Sequence, residues 1–62
     1  MRHIATITFV DADSGDEACI TVRSDDASVG LSVSIKANGD IETFMSKEDA
    51  VRLVEALKLA VS

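Results

Sequence analysis

Ser46-Lys47-Glu48-Asp49-Ala50-Val51-Arg52-Leu53-Val54-Glu55-Ala56-Leu57-Lys58-Leu59-Ala60-Val61 is the stretch whose reading decides the fold. Ala50, Leu53, Val54, Leu57, Ala60 and Val61 recur at i, i+3, i+4 and i+7, so they form one stripe when each residue turns through about 100°. Ser46 stands just before this pattern, and Asp49 follows three residues later. The hydroxyl can accept from first-turn amides while the carboxylate reaches back to the cap amide. Glu48 and Asp49 complement the positive end of the helix dipole, and Glu48 with Arg52 makes an i, i+4 pair in the favourable order. The spacing predicts a helix over 47–61. Leu59 falls opposite the stripe, among Arg52, Glu55 and Lys58, and reads as an exposed leucine near a fraying end.

Moving back from the helix, Ala37, Asn38 and Gly39 form the tightest hairpin signal in the chain. A three-residue loop with Gly39 left-handed sets Ile35 opposite Ile41 and Leu31 opposite Met45, which keeps apolar residues together and turns Phe44 away from the helix. Ahead of the hairpin, Val29, Leu31, Val33 and Ile35 alternate without exception against Gly30, Ser32, Ser34 and Lys36. Strands are therefore expected over 29–36 and 40–45. Another is expected over 17–23, where Ala18, Ile20 and Val22 alternate with Cys19, Thr21 and Arg23. A β-branched run makes a first strand over 3–10, with Ile7 and Phe9 inward. Asp11 to Asp16 and Ser24 to Ser28 are polar turns. The expected architecture is α+β, a four-stranded antiparallel β-meander followed by one C-terminal α-helix packed on one sheet face (ββββα), in a single domain over 1–62. A lone helix covers one face only. The other face would carry Ile4, Thr6, Thr8, Val10, Ser32, Ser34 and Phe44.

The totals narrow the possible functions. A 62-residue domain removes about 60% of its unfolded surface from water. Such a core usually holds roughly 3 to 5 kcal/mol unless a disulfide, a metal or a second subunit adds to it. The single Cys19 cannot make an internal disulfide, and zinc-type Cys/His spacings are missing. Self-association is the support that remains. No tripartite leader pattern and no apolar run near 18 residues is present, so no membrane span is expected and the cytoplasm is the default. The net charge of −5 opposes phosphate backbones, since the six Lys and Arg are scattered, and two phenylalanines offer little for base stacking.

Candidate chemistry is sparse. The Asp11 to Asp16 turn has the look of a calcium loop, but Asp16 stands where that loop needs Gly and Val22 where it needs Glu, so a solvated hairpin turn is the better reading. His3 reads as a surface or edge residue, and Cys19 has no local cation to activate it. With one His, one Cys and no Tyr, no catalytic pair is selected, and neither enzyme nor cofactor is expected. What remains is a non-catalytic acidic interaction or regulatory module, homodimeric through the outer face or an edge strand. Its acidic turns (Asp11, Asp13, Asp16, Asp25, Asp26) would meet a protein partner with a basic surface. Four meandering strands and a C-terminal helix, with the junction from Ile41 to Leu57, also look like the chain order of the PC4-type transcriptional coactivator domains. That resemblance implies a dimer holding single-stranded nucleic acid on its sheets. The chain lacks the basic strands and aromatics that such binding uses.

Overall fold

In the computed structural model, which describes residues 1–36 and 39–62, β1 (Arg2–Val10), β2 (Glu17–Ser24), β3 (Ser28–Ile35) and β4 (Gly39–Ser46) form one antiparallel sheet in the order β1-β2-β3-β4. α1 (Lys47–Val61) follows. This is the expected ββββα meander. Ala37 and Asn38, the centre of the hairpin signal, lie outside the described residues.

Cross-strand pairing sorts the side chains as the period-2 patterns require. Ile7, Ile20, Val33 and Ile41 form one apolar row across all four strands. Phe9, Ala18 and Ile35 form a neighbouring row, and Ala5, Val22 and Leu31 another on the same face. We call this the inner face. The opposite, outer face presents Thr6, Thr21 and Ser32 in one row and Thr8, Cys19 and Ser34 in the next.

The register between β3 and β4 differs from the expected one by two residues. Val33 faces Ile41 and Val29 faces Met45, in place of Ile35 and Leu31, and Ile35 faces Gly39. A two-residue shift leaves every side chain on its own face, so the hydrophobic pattern tolerates both registers and the turn decides between them. Gly39 has φ +80, a backbone angle at which residues with a Cβ are strained.

α1 begins at the residue after β4 ends. Ser46 is both the last rung of β4, opposite Ser28, and the cap of the helix, its Oγ accepting from the Asp49 amide at 3.1 Å. The other half of the expected capping box is not made. The Asp49 carboxylate instead accepts from Arg52 at 3.3 Å, which also replaces the expected Glu48–Arg52 pair. Among the described residues α1 touches β3 and β4 and neither β1 nor β2. No helix residue is buried.

Replacing Ser46 with Ala removes the cap acceptor, which typically costs about 1 kcal/mol. For a chain of this size the expected fall in the unfolding midpoint is about 4–8 °C. Circular dichroism at the helix band checks it, and an unchanged midpoint would show that the cap contributes nothing.

Candidate functional site

Two surfaces compete as the functional site. The outer face is already furnished by its own side chains. His3 Nε2 and Thr6 Oγ1 lie 2.8 Å apart, with Thr6 Oγ1 3.4 Å from Thr21 Oγ1. Arg23 reaches across the small residues of β3 to donate to Glu42 at 2.7 Å. Both partners are two-fifths exposed, so this pair contributes at most about 1 kcal/mol.

Phe44 sits opposite Gly30, and a Cβ on Gly30 would lie only 3.1 Å from the Phe44 ring and 3.3 Å from Met1 Sδ. Gly30 is thus the floor on which the ring rests, a glycine selected by close approach. Phe44 remains 60% exposed at its other side. Of the residues expected on this face, Thr6, Thr8, Val10, Ser32, Ser34 and Phe44 share it. Ile4 is the extra residue of a β-bulge between His3 and Ala5 and has no partner across the ladder. Cys19, half-buried, lies between Thr8 and Ser34.

The inner face and the helix are barer. Ile7 is 55% exposed, Ile41 72% and Leu57 56%. Thirteen large apolar side chains stand exposed among the described residues, nine of them on the inner face or α1, while Ala18 at 6% is the one buried apolar side chain. The chain exposes 4764 Å², against about 3,900 Å² for a compact monomer of its mass. Its radius of gyration, 12.6 Å, likewise exceeds the roughly 10.6 Å of a compact chain of this length. The surplus of about 900 Å² is close to the roughly 800 Å² that each partner contributes to a stable interface.

The acidic residues do not form one patch. Asp11, Asp13 and Asp16 occupy the β1–β2 turn, and Asp25 and Asp26 the β2–β3 turn at the opposite end of the sheet. At each turn the first aspartate is spent on the backbone. Asp11 accepts from the Ser14 amide at 2.8 Å, and Asp25 accepts from the amides of Ala27 at 2.9 Å and Ser28 at 2.8 Å and from the Ser28 hydroxyl at 3.0 Å. The Asp-x-x-Ser spacing at both turns is the sequence signal for this role. A shallow hollow at the second turn is shared by Asp25 and Asp26 with Arg2 and Lys47, so charge there is balanced locally. Among the described residues neither the Asp13 nor the Asp16 carboxylate makes a hydrogen bond or an ion pair. Among the described residues no three His, Cys, Asp or Glu side chains are grouped to hold a metal, and no helix is long and apolar enough to cross a membrane.

These hydrogen bonds hold both carboxyls below the ordinary aspartate value of 3.8, through the Ser14 amide first for Asp11 and the Ala27 amide first for Asp25. No protein-family model, curated protein or solved structure matches the chain.

A carboxyl whose pKa is lowered by folding stabilises the fold above its unfolded value, and that contribution is lost as pH falls through the folded value. Stability should therefore drop on acidification from the ordinary aspartate value of 3.8 downward. In Asp25→Asn, which keeps an acceptor but cannot titrate, the drop should be smaller. Urea midpoints across that window check this, and parallel curves would exclude Asp25 as a contributor.

Proposed function

We propose that this chain is a non-catalytic, acidic protein-interaction module of the cytoplasm that works as a homodimer. The surplus of exposed surface, together with the thirteen large apolar side chains exposed among the described residues, carries the reading, because exposed apolar patches on a small domain mark association surfaces. The core supports it too. A sheet whose one buried apolar side chain among the described residues is an alanine has little of its own to hold it together. The β1–β2 turn, with Asp13 exposed and Asp16 half-buried beside it, is suited to meet a basic surface on a protein partner and to speed the encounter. A regulatory or sequestering role follows from this combination of small size, acidic edge and absent chemistry.

The single-strand nucleic-acid reading has the chain order in its favour and the charges against it. On the outer face Glu17, Asp40 and Glu42 stand against Arg23, which is already paired. Phosphate contacts would have to displace that pair.

Sedimentation equilibrium at micromolar concentration is expected to give twice the chain mass, and a monomer there would contradict the reading. A labelled single-stranded oligonucleotide at low salt, where phosphate contacts are strongest, is expected to show no change in anisotropy. Salt-sensitive binding would replace the protein-partner reading with the nucleic-acid one.

A further inference from the structure

We propose that the inner sheet face is closed by α1 of a second copy, which lies over Ile7, Phe9 and Ile20 on β1 and β2 while this chain's own α1 does the same for its partner. The proposal rests on the homodimeric reading above and specifies its surface, moving it from the outer face to the inner one.

Geometry sets the number of helices required. Four strands about 4.8 Å apart present a face roughly 14 Å wide between the outer strand axes. A helix with its side chains is about 10 Å across, and packed helices sit 8–10 Å apart, so one helix covers about two of the four strands. The chain has one, and it reaches β3 and β4 only. Ile7 and Phe9 on β1, which α1 does not reach, are 55% and 40% exposed, and Ile41 on β4 is 72% exposed.

The connection prevents the chain from solving this alone. Strand-to-helix connections that fold a helix back over its own sheet usually take 2–6 residues. Here β4 ends at Ser46 and α1 starts at Lys47, with no residue between. The helix leaves along the strand end with Val54, Leu57 and Val61 at least half exposed.

A second copy satisfies both needs at once. Of the α1 residues only Ala50 is half-buried, so most of the helix's apolar stripe has no sheet under it, and β1 and β2 have no helix over them. A two-fold axis pairs the two reciprocally, which is the self-complementarity an isologous dimer demands. The unaccounted surface, about 900 Å² per chain, matches one standard interface side. The outer face, with Phe44 and the threonine row, then remains outward on the dimer.

The test is an isotope-filtered NOE experiment on a mixture of labelled and unlabelled chains, with sedimentation of two variants beside it. Intermolecular NOEs are expected between methyls of Leu53 or Leu57 and those of Ile7 or Ile20. Leu57→Glu is expected to weaken dimerisation by about thirtyfold or more, the loss typical of a central interface side chain, and Phe44→Asp to leave it unchanged. If the helix-to-β1 NOEs arise within one chain, the helix closes its own sheet and the exchange is overturned. If the NOEs are absent and Phe44→Asp dissociates the dimer, the exchange fails while the homodimer stands. A wild-type monomer at micromolar concentration removes both. Because the NOEs are read on the wild-type chain, the proposal stays testable even if Leu57→Glu does not fold.

Discussion

Ser46 carries the constraint on which the rest of the structure depends. It closes the last rung of β4 and caps α1 in the same residue, so strand passes into helix with no loop to reverse direction. The helix is therefore aimed by the strand that precedes it. It meets β3 and β4 and leaves the β1 side of the inner face open. Fully burying one Ile, Leu or Phe is worth about 1.5–3 kcal/mol. Ile7, Ile41 and Leu57 alone thus represent a stabilisation comparable to the whole of what a domain this small usually holds. A fold that leaves them in water has more to gain from association than from any local rearrangement of its surface.

The two sheet faces divide accordingly. On the outer face, hydroxyl rows, the Arg23–Glu42 pair and the Phe44 ring resting on Gly30 satisfy one another within a single layer. On the inner face apolar residues predominate, with Thr43 at the β4 end of the Ala5–Val22–Leu31 row, and Ile20, Val22, Leu31 and Val33 are only half-buried. Charge is arranged to keep the ends of the sheet in order before it serves any partner. Asp11 and Asp25 hold turn amides, and Asp25 also feels the N-terminal ammonium.

Much of this was legible from residue order. Helical spacing with the Ser46 start signal located α1, and strict alternation in Val29 to Ile35 fixed which side chains of β3 face inward. Phe44 outward followed from the three-residue loop, which puts Ile41 and Met45 on the inner face. The β3–β4 pairing did not, because registers two residues apart bury the same face and differ only in the turn. Simple alternation puts Ile4 on the outer face, and the bulge at His3 to Ala5 interrupts that alternation. The acidic turns read as free charge because composition counts carboxylates without their local partners, although Asp11 with Ser14 and Asp25 with Ser28 had the spacing of turn caps. The extent of helix cover was the largest gap. The expected boundaries already left only Ser46 between strand and helix, yet amphipathic periodicity says which stripe wants burial and not whose sheet it reaches.

An account in which the fold is finished by a second copy ties stability to concentration, since whatever binds the folded state alone stabilises it by mass action. The most direct measurement is the thermal unfolding midpoint over a dilution series of the wild-type chain. A midpoint that rises steadily with protein concentration is the predicted result. A midpoint independent of concentration, with unfolding remaining cooperative, would mean that one chain completes its own fold, and would contradict the account at its root.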